Sequence, residues 1–418
     1  MTRKAMSPAA EAPPSGTRQR LDHVDAMRPI KQSAVISTHA LIYFSPLTTS
    51  LFASGLLTLT HFSRDAFLFV SACMLAYSYR NSSDVKLGPY WKRRFRAVGL
   101  VYVVWTVIYF PVAAAKASAT FPYFRIPMSS LFSASGAHNF FFALATGYYH
   151  LYFLLVLLEF YVVFPFLFKL IHRFPKSHLY ILIGAVVWQI LFPYVVRHAW
   201  LGFVISTKLE TRLIFSYALY LLGGVVAAFY LEAFHDWVVR HRRAILGWTV
   251  VLGALPILLD YLDRHGYALP KIMVPGSDPF AFAVVPYDVG AILAVYLLGI
   301  FLVSPKRGAR TRAITASGSE AAYGIYVSQM LWILLMHRWA VQFNLVHRVP
   351  WLILMLFAVT MAYLMGWLFS AVFARTPLAR ALVGRSQVPW NTLLPRRRQL
   401  LPATHDDFGE GPMNLTDQ

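Results

Sequence analysis

Arg28 and His39 stand eleven residues apart in the run VDAMRPIKQSAVISTHALIYF. Eleven residues are close to three helical turns, so on a helix both side chains leave one face, about 16 Å apart along the axis. In a membrane helix the guanidinium would lie near the surface and the imidazole about halfway into the bilayer. Ionisable groups at that depth are costly and usually mark a site or pathway. Histidine suits proton removal because it titrates near operating pH. The plainer alternative is a snorkelling arginine and a histidine satisfied between helices.

Other candidates are weaker. Arg93 and Arg96, in WKRRFRAVGLVYVVWT, are three apart and would share a helical face. They could clamp the phosphates of a nucleotide-bearing donor such as coenzyme A, or only fix topology. His150 and Glu159 in GYYHLYFLLVLLEFYVVFP are nine apart, which puts them on opposite helical faces and rules out one acid–base pair. His150 could bind an acceptor hydroxyl or simply sit at the interface. Glu159 needs an internal partner, which Arg64 or another helix could supply. In SRDAFLFVSACMLAYSY, Ser71 and Ala72 are small enough to permit close helix packing. The one cysteine, Cys73, reads as a small hydrophobe. Asp288 is a further carboxylate in an apolar run. No serine-nucleophile elbow, P-loop, zinc-binding His-Glu-x-x-His or Rossmann fingerprint occurs, and no metal site is expected. Direct transfer assisted by a base is favoured over covalent catalysis.

The elements that must hold these residues are membrane helices. Apolar residues make up 58% of the 418 and charged residues 13%, against roughly 25% charged in a typical soluble domain. The expected fold is all-α and polytopic. Ten segments approach the ~20 residues a bilayer needs: 33–57, 63–79, 97–115, 147–168, 178–196, 213–233, 244–260, 280–303, 320–337 and 351–374. The stretch between the third and fourth is aromatic enough to lie in the interface. With the N-terminus cytoplasmic, 28 of the 38 Lys and Arg fall in inward segments and nine in outward ones. That bias predicts ten helices with both ends in the cytoplasm, and it accounts for the net charge of +20 without nucleic acid. Residues 1–20 read as a disordered cytoplasmic tail and 21–375 as the membrane domain. Residues 376–418 read as a basic, then acidic, flexible tail that touches anionic lipid.

These motifs resemble those of the acyltransferase 3 family of bacterial membrane acyltransferases. Asp25, Arg28 and His39 match an acidic residue, an arginine and, after ten intervening residues, a histidine in the family's first helix. Arg93 and Arg96 match an Arg-x-x-Arg at the start of the third. FLFVSA matches Phe-Phe-x-x-Ser-Gly with Ser71 kept and Ala72 for the glycine, and HLYFL from His150 matches His-Leu-Trp-Phe-Leu with Tyr152 for the tryptophan. AYGIYVSQ, which contains Tyr326, resembles Ser-Tyr-x-x-Tyr-Leu-x-His, with Gln329 where a histidine is common. The likeness covers roughly residues 21–375.

The resemblance implies transfer of an acyl group, acetyl being the expected one, from cytoplasmic acyl-CoA to a hydroxyl of an extracytoplasmic or lipid-linked carbohydrate in the inner (plasma) membrane. His39 would be the general base. Arg28 would orient a donor phosphate or help hold His39, and Asp25 would set the geometry of Arg28. Arg93 and Arg96 would bind the donor, while His150, Glu159, Ser71, Arg64 and Tyr326 would serve the acceptor or support the site. Acyl-CoA enters as a substrate, with no resident cofactor. Two rivals are a transporter or flippase of a glycan or lipid, and a scaffold or sensor that has lost the chemistry. The sequence names neither acyl group nor acceptor.

Overall fold

The computed structural model describes residues 21–82, 85–114, 131–197, 207–270, 278 and 280–390. Within them the chain is helical, with no strand among the described residues. The first half runs α1 (Asp22–Phe44), α2 (Leu51–Thr60), α3 (Phe62–Tyr79), α4 (Leu87–Arg94), a π-helical turn Phe95–Gly99, α5 (Leu100–Ala114), α6 (Ala134–Thr146), α7 (Tyr152–Arg173) and α8 (His178–Arg197). The second runs α9 (Thr207–Glu210), α10 (Ala218–Phe229), α11 (Leu231–Arg240), α12 (Arg242–Arg264), α13 (Val284–Val303), α14 (Ala309–Gln342), α15 (Leu345–Arg348), α16 (Trp351–Phe373) and α17 (Ala379–Val383).

Six helical stretches are long and apolar enough to cross a membrane, or seven when α10 with its preceding turn and α11, bent by 104° at Tyr230, are taken as one span. The ten-span expectation is therefore not reached by length and composition. The other three expected segments fall on α1, α3 and α14, which are long enough but too polar. These are the helices that carry His39, Arg64 and Tyr326. The first expected span, 33–57, is also two helices. The α1 helix stops at Ser45, whose backbone turns extended, and α2 starts afresh where the Ser50 hydroxyl accepts the Ala53 N–H (3.2 Å).

At the centre of the bundle, α1 packs against α2, α3, α13, α14 and α16. Asp22 and Asp25 in its first turn complement the helix dipole. Close approach depends on missing side chains: a Cβ on Gly299 of α13 would strike the His23 carbonyl of α1, and one on Gly224 of α10 would strike the Phe69 carbonyl of α3. The α7 stretch is 61% buried across its most apolar window and lies inside, whereas α12 at 22% lies at the edge. Edge side chains such as Trp248, Val250, Ile353 and Leu356 stay uncovered, as lipid-facing residues do. The described part of the expected C-terminal tail, 376–390, is partly helical. Ala379–Val383 form a helix against α5, α14 and α16, and the Trp105 indole donates to the Leu382 carbonyl (2.9 Å). Residues 1–20 and 391–418 lie outside the described residues.

Candidate active site

The centre of the site is a meeting of imidazoles and phenols between α1, the start of α7, and α14. The His39 and His150 rings lie edge to face, 5.9 Å between centroids. His150 is walled on its other sides by Tyr109 (5.3 Å) and Tyr326 (5.1 Å). The Tyr326 hydroxyl donates to the His150 carbonyl (2.5 Å) and that of Tyr109 to the Val327 carbonyl (2.8 Å), so both phenols are spent on backbone. Both His150 ring nitrogens are buried and neither makes a hydrogen bond of ordinary geometry, although the Tyr326 and Val327 backbones interact with the ring. Leaving such groups unpaired costs about 1–3 kcal/mol each, which a hydroxyl-bearing ligand can recover.

His150 is aimed by an unusual backbone. Gly147 has φ +78°, and a Cβ there would collide with Tyr152. Two residues on, Tyr149 adopts φ +49°, a left-handed conformation that costs a non-glycine residue about 1–2 kcal/mol. Packing of Tyr149 against Tyr148 (4.7 Å) and Tyr109 (6.0 Å) helps hold it there. That turn ends directly in His150.

Toward the start of α1 a strip of side chains runs back from His39. Gln32 lies seven residues before it and Arg28 four before that, so the three share one face. The Arg28 guanidinium pairs with Asp25 (3.1 Å), as the sequence pairing anticipates. Gln32 donates to Gln329 of α14 (3.1 Å). Beside it Lys31, 1% exposed, places its ammonium 4.7 Å from the centroid of the Phe67 ring.

Arg64 is not the partner of Glu159. It forms a two-pronged bond to its neighbour Asp65 (3.1 and 3.2 Å) and lies between the Tyr217 and Phe280 rings. Glu159 instead accepts the Ile214 backbone N–H (2.9 Å) and anchors the turn entering α10, away from the histidines. Asp288 joins the Arg64–Asp65 group through Asp65 and accepts from Tyr220 (3.4 Å). Arg197 clamps this region at the surface, bonding Glu210 (2.8 Å) and Asp278, and Asp278 in turn accepts the Phe280 N–H (3.0 Å). Burial pushes the Glu210 carboxyl above the ordinary range while the Arg197 guanidinium pulls it back.

Arg93 and Arg96 flank the start of a π-helical turn and differ in exposure. The π-helical turn begins at Phe95, between them, and widens the period beyond that of an α-helix. Arg93 is half-buried and donates to the Tyr79 hydroxyl of α3 (2.5 Å), whereas Arg96 is exposed. Its neighbour Arg94 turns to the Tyr90 and Tyr161 rings. Ser71 is half-buried on α3, where Ala72 meets the close α10 contact.

Three residues near the centre escaped the sequence reading. His61 is half-buried at the junction of α2 and α3, close enough to His39 and Arg64 to interact electrostatically, with a buried, unpartnered Nδ1. Lys31 lies just ahead of the first expected span, and neither it nor Gln32 is among the sequence candidates. The signal available for the pair was their place beside Arg28, on a helix otherwise apolar from Ala34 onward to Phe44 apart from Ser37, Thr38 and His39.

This all-helical bundle with a histidine site inside it belongs to the acyltransferase 3 family. The family's sequence model, described as an acyltransferase domain, matches residues 22–371, so the protein is a membrane acyltransferase. No curated protein and no solved structure matches the chain.

Proposed function

We propose that the protein moves an acyl group, acetyl being the expected one, from cytoplasmic acyl-CoA to a hydroxyl of an extracytoplasmic or lipid-linked carbohydrate. The carrying observation is His39 facing a His150 whose two ring nitrogens make no hydrogen bond of ordinary geometry, deep in the bundle and about 16 Å from Arg28 on the same helix face. An acceptor hydroxyl held by His150 lies next to a base. His39 takes the hydroxyl proton as that oxygen attacks the thioester carbonyl, an O–C bond forms, and the C–S bond breaks. His39 returns the proton to the departing sulfur, so ester and free CoA leave and the imidazole is neutral again. Arg28, held by Asp25, and the Arg93–Arg96 region meet the donor phosphates. Both termini then lie in the cytoplasm of a cell whose inner membrane holds the protein.

The test supplies radiolabelled acetyl-CoA to one side of vesicles containing the purified protein and native-membrane carbohydrate. Label in an alkali-labile ester, absent with His39→Ala, is the expected result. Acceptor movement without labelling favours glycan or lipid transport, the reading to which the buried Arg64–Asp65–Asp288 cluster gives some support.

A further inference from the structure

The Gln32–Gln329 contact joins α1 to α14 between Arg28 and His39. Both side chains are closed off, Gln32 at 1% and Gln329 at 0% exposure. Their one mutual hydrogen bond leaves the Gln32 Oε1 and the Gln329 Nε2 buried with no partner. Exchanging oxygen and nitrogen in both amides leaves the same remainder, one acceptor and one donor. Two apolar residues would pack there without that cost. The pair therefore presents the complement of a single secondary amide, whose N–H would meet the acceptor and whose carbonyl would meet the donor.

Its place along the strip says which amide. Gln32 is one turn from Arg28 toward His39, and His39 lies about 10 Å further along the axis. Acyl-CoA has the same order of chemistry: phosphates at one end, a pantetheine arm with two secondary amides, then the thioester. We infer that Gln32 and Gln329 form a reader for a pantetheine amide, setting how far the thioester travels toward His39. This rests on acyl-CoA being the donor. The pair does not touch the reacting atoms and acts by positioning the arm. Gln329 is where a histidine is common in the resemblance noted above, so this amide chemistry belongs to this chain's own residues.

The test compares binding of CoA with binding of 3′-phospho-ADP, which is CoA cut before the pantetheine, by the full-length protein in lipid nanodiscs. Wild type should bind CoA at least about tenfold tighter than the fragment. Gln32→Leu and Gln329→Leu should each lose about tenfold on CoA and nothing on the fragment. Arg28→Ala should lose on both. Unchanged CoA affinity in the Leu variants, or equal losses on both ligands, overturns the reader. If the Leu variants do not fold, Gln329→Met keeps the volume without the donor. Wild type alone also decides, because equal affinity for CoA and fragment overturns the inference. Binding of neither by wild type overturns the acyl-CoA reading and the reader with it, a result distinct from loss of the pantetheine increment alone.

Discussion

His39 and His150 are the pair proposed to carry the chemistry, and the sequence points to them by different signals. His39 followed from a spacing, eleven residues after Arg28 on a regular helix. His150 followed from a motif, and its direction from a left-handed Tyr149 that no pattern reveals. His39→Ala should lower transfer by roughly 10²–10⁴ while the protein still elutes as one folded species. Substantial transfer by the folded variant leaves His39 as a packing residue. Tyr326→Phe removes only the bond to the His150 carbonyl. It should cost about 1 kcal/mol of local support, so transfer should fall several-fold with the acceptor KM moving more than the donor KM. Partners hundreds of residues apart, such as Gln32 with Gln329, were illegible because uncharged polar residues announce nothing until two helices meet. The Arg64–Glu159 pairing fails for a different reason, since a carboxylate next in sequence, Asp65, takes Arg64 first.

At the scale of elements, period decides what can be inferred. A 100° step holds through α1 and places Arg28, Gln32 and His39 on one strip. Across Phe95–Gly99 the period becomes that of a π-helix, and Arg93, before it, is half-buried while Arg96, within it, is exposed. Their roles should then differ. Arg93→Lys should weaken CoA binding and also loosen α4 from α3, because lysine cannot reproduce the guanidinium's fixed donor geometry at Tyr79. Arg96→Lys should leave thermal stability within about 0.5 kcal/mol and alter only donor affinity. Titration with CoA beside a thermal melt of each variant checks this, and identical behaviour of the two would refute the separation. The junction of α3 and α10 is set by Gly224, so Gly224→Leu should destabilise the bundle by several kcal/mol through overpacking against the Phe69 backbone. A melt unchanged from wild type contradicts that account.

The whole molecule was legible as a membrane bundle from composition, and all ten expected segments contain helix. The span count was less legible, because a window of residues does not reveal where a helix breaks. Ser45–Ser50 divides the first expected span, and Tyr230 turns the sixth through 104°. The excess of basic residues in alternate connections still predicts sidedness. Reporter fusions after residues 90 and 240 should both give cytoplasmic signals, and an external signal at either breaks the topology.

The polarity of α1, α3 and α14 has a consequence for how the chain enters a membrane. A translocon sorts segments by their own partition free energy, and these three sort poorly alone. α14 is also 34 residues long, about 51 Å at helical rise, well beyond a hydrocarbon core of about 30 Å. Yet it is flanked in sequence by α13 and α16, whose mean hydropathies are 2.0 and 2.2. Insertion of these helices should then be cooperative, with strongly apolar neighbours carrying them into the bilayer. In a glycosylation-mapped insertion assay α14 by itself should partition largely to the aqueous side and should integrate when expressed together with α13 and α16. The helices that bear the candidate site residues would be the passengers of its biogenesis.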